Sequence, residues 1–318
     1  MKRTQMAIVV HTEEEFDWQA GFNSNNTQVN HAEALEAMAI EMLELGYCIS
    51  FAVDYAFISD PKASNMLRRL MQNYPDKIEI GAHLHPWVNP PFDEQTKGSE
   101  IPEYLSYPGN LPYELEHEKL RLLTNKIEQT LALRPRLYLA GRYGVGENTY
   151  KILTDLGYRV DVSITPFTDY RHQSGPDFSS FDNQTIAREG ITCIPHSAGY
   201  VSYSKQLTDW LNQSVDHLPR LNNSLWGKIL LRLAGVKRVR LSPEGFTAKD
   251  MLKLSQSLTR IGLTQQIYSF HSSSSLSGGS PYSATVEKAD YLKNNNLQLL
   301  RQLKTQCEPS LLGSIVDE

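Results

Sequence analysis

The chain has 318 residues, of which 40% are hydrophobic and 21% charged, a composition typical of soluble globular proteins with a sizeable core. Its 31 basic and 36 acidic side chains give a net charge of −5, so it lacks the electrostatic footprint that nucleic-acid binding requires. The three widely spaced cysteines suggest neither a disulfide framework nor a thiolate metal site, and no apolar run is long enough for a membrane-spanning helix. We therefore expect a cytoplasmic protein with no membrane span.

The first elements alternate between apolar strands and amphipathic helices. A compact apolar run at Ala7–Val10 predicts a buried strand that ends at His11 and leads into an acidic loop with Glu13, Glu14 and Glu15. Consecutive carboxylates often form only a solvated face, yet loops that follow buried strands are also where ligands are displayed. The next predicted elements are a helix at Ala32–Leu45, a strand at Cys48–Val53 and a helix at Asp60–Tyr74.

The third predicted strand ends in the sequence I-E-I-G-A-H-L-H-P-W at Ile78–Trp87. Side chains at positions i and i+2 of an extended chain share one face, so His83 and His85 can point at the same ion. Neutral imidazole is a common zinc ligand, although paired histidines at a strand end are often only polar residues of the junction. The stretch therefore predicts a metal site if the rest of the fold supplies further ligands.

The remaining chain continues the alternation. Four further strands are predicted, at Arg136–Ala140, Arg159–Ile164, Ile191–Pro195 and Ile267–Phe270. The accompanying helices are predicted at Tyr113–Leu133, Glu147–Leu156, Thr247–Ile261 and Ala284–Leu303. The pattern weakens over residues 197–238, where we expect a less typical insertion within one domain that spans residues 1–318.

This alternation of strand and helix, repeated about seven times, predicts an α/β fold with a parallel sheet covered by helices, most economically a barrel. Barrel enzymes build their sites at the carboxyl ends of the strands, and several polar residues fall near such ends. Each can be a polar residue with purely structural partners, but their collection at one rim favours a functional site. These residues are His11, Asp54, His83, His85, Arg142, Asp161, His196, Glu244 and His271.

Several motifs resemble, in order, those of a known family. They are T-E-E-E-F-D-W, E-I-G-A-H-L-H-P-W, A-G-R-Y-G-V-G-E-N-T, L-G-Y-R-V-D-V-S-I-T-P and Y-S-F-H-S-S-S-S-L, within Thr12–Tyr282. Together they are similar to the WalW-type branch of the polysaccharide deacetylases, in the NodB-homology or carbohydrate esterase family 4 group. The resemblance implies a distorted (β/α)7-like barrel, one divalent metal ion, often zinc, and hydrolysis of an N-acetyl group on a sugar.

Carried onto this chain, the resemblance implies roles for individual residues. His83 matches the first metal histidine, and His85 matches a second one at a closer spacing than the family's commoner pattern. Glu13 is the nearest carboxylate that could complete the metal set or take part in catalysis. Arg142 matches an arginine that orients the catalytic base, and His271 matches the general acid.

The first motif departs from the family pattern at His11. Close relatives have the aspartate base at this position, whereas this chain has a histidine. A histidine can act as a general base, since its unperturbed pKa is ~6.5, or it can become a further nitrogen ligand of the ion. The sequence leaves both roles open.

The leading hypothesis is a cytoplasmic, zinc-dependent deacetylase that acts on an acetylated sugar or a precursor of a cell-surface polysaccharide. Trp87, Tyr143 and Trp18 are predicted to stack on sugar rings, and Asp161 and Glu244 to contact the substrate, unless these residues serve packing and internal hydrogen bonds. Three alternatives stay open: a hydrolase of another carbon–nitrogen bond, a carbohydrate-binding pseudoenzyme that lost its base at position 11, and a metal-free transferase or isomerase on the same barrel.

Overall fold

The computed structural model describes residues 3–16, 21–92 and 97–313. Its strands are β1 (Thr4–Thr12), β2 (Ile49–Val53), β3 (Ile78–Leu84), β4 (Leu137–Ala140), β5 (Val160–Asp161), β6 (Thr168–Asp169), β7 (Asp177–Phe178), β8 (Ile186–Arg188), β9 (Ile191–Cys193), β10 (Ala198–Val201), β11 (Lys237–Arg240), β12 (Gln265–His271) and β13 (Cys307–Pro309). Its α-helices are α1 (Ala32–Glu44), α2 (Tyr55–Ser59), α3 (Pro61–Asn73), α4 (Tyr113–Leu131), α5 (Thr149–Leu156), α6 (Lys205–Asn212), α7 (His217–Asn222), α8 (Leu225–Leu233), α9 (Ala248–Arg260) and α10 (Val286–Leu303).

The main sheet has seven parallel strands in the order β12-β1-β2-β3-β4-β5-β9, and β8 adds an antiparallel edge beside β9. β13 pairs with residues Thr4–Met6 of β1, which come before the residues of β1 that pair with β2. Helices connect most successive parallel strands, whereas β5 and β9 are joined by a long segment that contains β6, β7 and β8. The predicted α/β architecture of about seven strand–helix repeats is therefore confirmed.

The barrel is incomplete between β12 and β9, which do not pair directly. Irregular backbone bridges this gap: Ser269 N donates to Leu241 O, and Leu241 N donates to Ser197 O, both at 2.9 Å. The chain before Leu241 forms β11, which pairs antiparallel with β10 in a separate two-stranded sheet. The distorted (β/α)7-like barrel that the sequence predicted is thus a curled sheet closed by loops.

The segment predicted as an insertion contains three short helices, α6, α7 and α8, between the two strands of the β10–β11 hairpin. α6 packs against the hairpin and against α9 of the barrel, which fixes its base. Within the described ranges, none of the helices combines the length and the apolar character needed to cross a bilayer.

The core follows from strands that are buried on both faces. Residues Met6 to Val10 of β1 are at most 1% exposed, which matches the continuous apolar run expected for the centre of a parallel sheet. Helix starts obey local rules: Asp60 accepts from Lys62 N and Ala63 N and precedes Pro61 at the start of α3. The apolar runs and the capping residues of the sequence therefore correspond to the buried strand of the core and to the observed start of α3.

Glu116, a buried carboxyl group in the first turn of α4, provides a test of this packing. Its Oε1 accepts from the Thr149 hydroxyl at 2.6 Å, whereas its Oε2 has no hydrogen-bond partner among the described residues. Burial outweighs the hydrogen bond from Thr149 and raises the pKa of Glu116 to about 7. Between about pH 4.5 and pH 7, Glu116 therefore stays protonated in the folded protein, whereas it is ionised in the unfolded chain.

We expect Glu116→Gln to remove a pH-dependent loss of stability. Because the folded pKa lies above the unfolded one, the wild type loses stability as pH rises from about 4.5 to 7, whereas the glutamine variant does not. Relative to the wild type, the variant should gain on the order of 2 kcal/mol over this interval, measured by urea unfolding at both ends. Glu118→Gln, a half-exposed control on the same helix, should show no such gain. Equal pH dependence in wild type and Glu116→Gln would contradict the argument.

Candidate metal centre

One pocket lies at the carboxyl ends of the barrel strands and gathers most of the predicted site residues. The predicted residues that line it are His11, Glu13, His83, His85, Trp87, Arg142, Tyr143 and His271. Further lining comes from Phe16, Phe22, Ser273, Ser274, Ser280 and Tyr282. The pocket therefore joins a polar histidine cluster to an aromatic rim.

β1 delivers His11 and Glu13 to the pocket. His11 pairs in register with His271 on the neighbouring strand β12, so both side chains point to the same face of the sheet. Glu13 follows two residues later, and its backbone N–H donates to the Ser272 hydroxyl at 3.1 Å. The His31 ring lies 2.9 Å from the same hydroxyl, which fixes the start of the acidic loop against β12.

The tautomer of His83 follows from its two neighbours. Nδ1 lies 2.8 Å from the carbonyl oxygen of Leu139 on β4, so Nδ1 carries a proton. In the neutral ring, Nε2 therefore holds a lone pair, and it lies 3.0 Å from Oε2 of Glu13. Burial outweighs the attraction of Glu13 and lowers the pKa of His83, which favours this neutral form.

His85 approaches the same carboxylate from a second side. Its Nε2 lies 3.4 Å from Oε2 of Glu13, and its Nδ1 lies 2.8 Å from Oε2 of Glu14. Trp87 donates its indole N–H to the other oxygen of Glu14 at 2.7 Å. Burial raises the pKa of Glu14 to about 7, and burial together with Glu14 raises the pKa of Asp54 well above its usual value. Glu14 thus orients His85 from behind, in the manner of carboxylates that hold metal-binding histidines.

This donor set fits a divalent cation. Burial alone would raise the pKa of Glu13, but the neighbouring histidines, His271 first among them, outweigh burial and lower this pKa to about 2, so the carboxylate is ionised. An ionised carboxylate oxygen and a neutral imidazole lone pair, 3.0 Å apart, are two acceptors that face each other, an arrangement that a cation between them would stabilise. A ring nitrogen of His11 also lies within 4.8 Å of the ligand atoms of Glu13 and His83. Imidazole and carboxylate are ligands that suit zinc.

His271 and Glu244 form a pair on the opposite side of the histidine cluster. Glu244 lies 2.7 Å from Nδ1 of His271, accepts from its backbone N–H at 3.0 Å, and accepts from the Ser274 hydroxyl at 2.5 Å. Burial alone would lower the pKa of His271, but Glu244 and Glu13 outweigh it and raise the pKa to about 9. Glu244 itself does not line the pocket, so its contacts follow the alternative of internal hydrogen bonds, here with the candidate acid His271.

Arg142 lines the rim of the pocket and is directed toward the loop before α4. Its guanidinium donates to Ser106 at 2.6 Å and to Glu103 at 2.9 Å, and it lies over the Tyr107 ring at 4.2 Å. None of its described hydrogen bonds reaches His11, so the predicted role in orienting the base has no counterpart in these contacts.

A different arginine, Arg240 at the end of β11, is linked through Tyr143 to His11, the residue at the position of the family's base. Its guanidinium lies 3.4 Å from the Tyr143 hydroxyl, which in turn lies 3.5 Å from Nε2 of His11. Arg240 was not among the residues predicted from the sequence, because it lies next to the weakly patterned region. Its position four residues before Glu244 was the available signal.

The turn that carries Arg142 and Tyr143 is held tightly against the histidine loop. Both residues have positive φ angles, 55° and 58°. A Cβ atom on Gly141 would lie 2.3 Å from Leu84 O and 2.7 Å from Cδ2 of His85, so only glycine fits there. The strained backbone thus places Tyr143 over His11 while leaving room for His85.

Three other predicted contacts have mixed outcomes. Trp87 lines the pocket, but it is 3% exposed and its ring stacks on His85 at 4.2 Å, so its main contacts are internal. Asp161 is fully buried, accepts from the Ser163 hydroxyl at 2.5 Å, and is not part of the pocket lining. This placement follows the structural alternative for Asp161. Trp18 lies outside the described residues.

Comparisons with known proteins bear on the fold. The sequence matches no protein-family model, and no curated protein is significantly similar to it. Several solved structures do match. A Parabacteroides distasonis protein classed as a glycoside hydrolase/deacetylase gives a TM-score of 0.58 at 8% identity, covering 99% of this chain and 71% of that one. A Mycobacterium smegmatis protein classed as a polysaccharide deacetylase gives a TM-score of 0.53 at 12% identity, covering 100% of this chain and 90% of that one. A 4-alpha-glucanotransferase from Thermococcus litoralis gives 0.52 at 10% identity, covering 100% and 41%. At such identities the likeness shows a shared fold.

Metal content provides the direct test of the site. We expect about one zinc ion per chain in the wild type after incubation with zinc, and loss of that ion in His83→Ala, by elemental analysis of desalted protein. Glu14→Gln should still bind zinc, but about 10–100-fold more weakly, because it removes only the carboxylate behind His85. His172→Ala, at an exposed position outside the pocket, is the matched control and should bind like the wild type. Zinc-free wild type, or full zinc content in His83→Ala, would contradict the assignment.

Proposed function

We propose that this protein is a zinc-dependent hydrolase that removes the N-acetyl group from a sugar or polysaccharide precursor. The observation that carries the proposal is that one pocket holds the Glu13 carboxylate beside two imidazoles, together with His271, which Glu244 contacts from outside the pocket lining. The first group suits a metal ion, and the second suits a proton donor. Hydrolysis of an amide needs both.

The fold supports the general class of this proposal, and the sequence motifs support its finer parts. The barrel is shared with one protein classed as a polysaccharide deacetylase and another classed as a glycoside hydrolase/deacetylase. The finer assignment to the WalW-type branch rests on the sequence motifs and is part of the proposal. A cytoplasmic location and a substrate from cell-surface polysaccharide synthesis are also part of the proposal and do not rest on the motifs.

The chemistry divides among the residues of the pocket. Glu13, His83 and His85 would hold the zinc ion, which when bound polarises the acetyl carbonyl and lowers the pKa of water to ~7. His11, neutral because burial and the neighbouring charges lower its pKa well below 6.5, accepts the proton of the attacking water. His271 donates a proton to the amine nitrogen as the carbon–nitrogen bond breaks. The products are a free amine and acetic acid, which releases its proton to solvent as it ionises to acetate. Transfer of the proton from His11 to His271 then restores the starting state of both rings.

The outer part of the pocket is suited to hold the sugar. Glu244 holds His271 in position for proton transfer, with two contacts at 2.7 and 3.0 Å. Tyr143 and Arg142 contribute polar edges to the pocket, and Phe16 and Phe22 contribute apolar faces. Aromatic faces beside hydrogen-bonding groups suit a pyranose ring, which has both apolar and hydroxyl surfaces.

The number of carboxylates in the pocket favours amide hydrolysis over glycosyl transfer. Glycosyl transfer is the reaction of the 4-alpha-glucanotransferase that shares this fold. Glycoside chemistry uses two carboxyl groups that flank the reacting bond. Among the described residues that line the pocket, Glu13 is the single carboxylate, and Glu244 lies behind His271. Two imidazoles surround Glu13, which suits a ligand better than a nucleophile.

We expect zinc-loaded wild-type protein to release acetate from N-acetylated amino sugars. His271→Ala should lower kcat by about 10²–10⁴-fold with zinc content unchanged, because it removes a proton donor and no ligand. His117→Ala on α4, outside the pocket, is the control and should keep full activity. A screen with no acetate released from any acetylated sugar, or full activity in His271→Ala, would refute the proposal.

A second candidate is a carbohydrate-binding protein with impaired catalysis. The observation that favours it is the proximity of His11 to the ligand atoms of both Glu13 and His83, within 4.8 Å. A His11 ring bound to the ion could not accept a proton, and the pocket would then lack the base that relatives supply with aspartate. A hydrolase of a different carbon–nitrogen bond would use the same groups on another amide.

His11→Asp separates the active enzyme from the impaired one. If His11 works as the base, aspartate replaces one base with another, and we expect kcat to stay within about tenfold of the wild type, while His11→Ala loses activity. An impaired wild type instead predicts a gain of at least ~100-fold in His11→Asp and no further loss in His11→Ala. Acetate release, normalised to zinc content, measures both.

A further inference from the structure

The insertion between β10 and β11 carries a large apolar surface that the barrel does not cover. Five side chains of α8 are solvent-exposed: Leu225 at 71%, Trp226 at 80%, Ile229 at 39%, Leu230 at 49% and Leu233 at 74%. Such a cluster of large apolar side chains, one of them tryptophan, is unusual on a protein surface and marks an interaction site.

These five residues form one continuous stripe. At about 100° per residue, they span about 140° of the helix circumference. Gly227 and Leu231, the buried residues of α8, fall on the opposite side and attach the helix to the protein. The outward stripe is therefore a property of the folded helix and not of a poorly packed end.

The flank of the stripe is basic. Lys228 and Arg232 are exposed, lie one turn apart beside the apolar residues, and have no ion pair within the described part of the chain. From residue 217 to residue 243 the sequence has six lysines and arginines and no aspartate or glutamate, although the whole chain carries a net charge of −5. Arg220 pairs with Asp216 and Lys237 pairs with Asp250, so the positive charge beside the apolar face is that of Lys228 and Arg232.

Aromatic residues stand at both ends of this stripe. Trp226 lies in the first turn of α8, and Tyr203, which is 82% exposed, lies at the other end. The Tyr203 backbone N–H donates to Ala234 O at 2.9 Å, and a Cβ atom on Gly235 would lie 2.5 Å from the Tyr203 ring. Tryptophan and tyrosine are enriched at the boundary between lipid and water, where one side of the ring is wet and the other apolar.

We propose that α8 and Tyr203 form a docking surface for an anionic lipid bilayer. An apolar helix face flanked by lysine and arginine is the signature of helices that lie in the plane of a membrane surface. The apolar stripe would enter the boundary between headgroups and acyl chains, while Lys228 and Arg232 would contact the lipid phosphates. This mode of attachment needs no membrane-spanning helix.

A second copy of the chain fits this surface less well. A symmetric dimer places the same patch of both copies face to face, which brings two basic flanks into one interface. The segment has no carboxylate between residues 217 and 243 to offset that repulsion. Lipid phosphates provide the missing negative charge.

The test uses full-length protein and sedimentation with vesicles of phosphatidylcholine alone or mixed with phosphatidylglycerol. We expect binding to the mixed vesicles, weak binding to phosphatidylcholine alone, and weaker binding in high salt. Trp226→Ala should weaken binding to the mixed vesicles by about tenfold or more, since it removes a large apolar side chain. Lys228→Ala and Arg232→Ala should each weaken it by about fivefold.

Tyr291→Ala, on α10, is the matched control because Tyr291 is an exposed aromatic residue, at 59%, outside the insertion. It should bind vesicles like the wild type. Thermal unfolding of each variant checks that the fold is kept. The proposal is overturned if wild type does not bind the mixed vesicles, if it binds both kinds equally, or if Trp226→Ala binds unchanged. A dimer in solution that Trp226→Ala converts to monomer, without vesicle binding, would assign the surface to a second copy and also overturn it. None of these outcomes depends on catalytic activity.

Discussion

The site depends on the contact between the Glu13 carboxylate and the imidazole of His83. Both groups present acceptors to each other at 3.0 Å, and nothing in their own chemistry makes that approach favourable while His83 is neutral. The barrel imposes the approach, because β1 and β3 each pair with β2 and their ends project to one rim. The fold thus supplies the geometry that a cation would complete.

Groups outside the pocket lining hold the imidazole rings of His83 and His85 in one orientation. Leu139 O fixes the proton of His83 on Nδ1, and Glu14 does the same for His85. Lys119 donates to three carbonyl oxygens of the loop after His85, those of Pro86, Asn89 and Pro91, so that loop is anchored to α4. The lone pairs that face the pocket are therefore set by groups that never reach it.

The sequence was sufficient to predict the strand ends and most of the pocket, because both follow from local patterns. Apolar runs that stop at a polar residue predicted where His11, His83 and His271 would emerge, and parallel pairing then brings such ends together. The directions of long side chains could not be predicted this way. Arg142 turns to Glu103, a residue of a long loop whose path has no periodic pattern.

Arg240 was missed for a related reason: its strand belongs to a hairpin outside the repeated pattern. The role of Glu14 also needed the structure. In a run of three glutamates, the alternation of a strand no longer applies, and only the observed loop shows that Glu13 faces the pocket while Glu14 supports His85 and Glu15 contacts His31. Resemblance to a family indicated which residues matter and left open how they are paired.

The histidine cluster itself shows how one fold can keep neighbouring imidazoles in different states. Burial lowers the pKa of His11, His83, His85 and His196, and the positive charge of His271 or Arg240 lowers it further in several of them. Only His271, with Glu244 at 2.7 Å, has its pKa raised. Glu244 and Glu13 together therefore place the positive charge on His271, while burial keeps the other rings in the neutral form that can bind a metal ion or accept a proton. The different roles of the histidines thus depend in large part on Glu244, a residue that does not line the pocket.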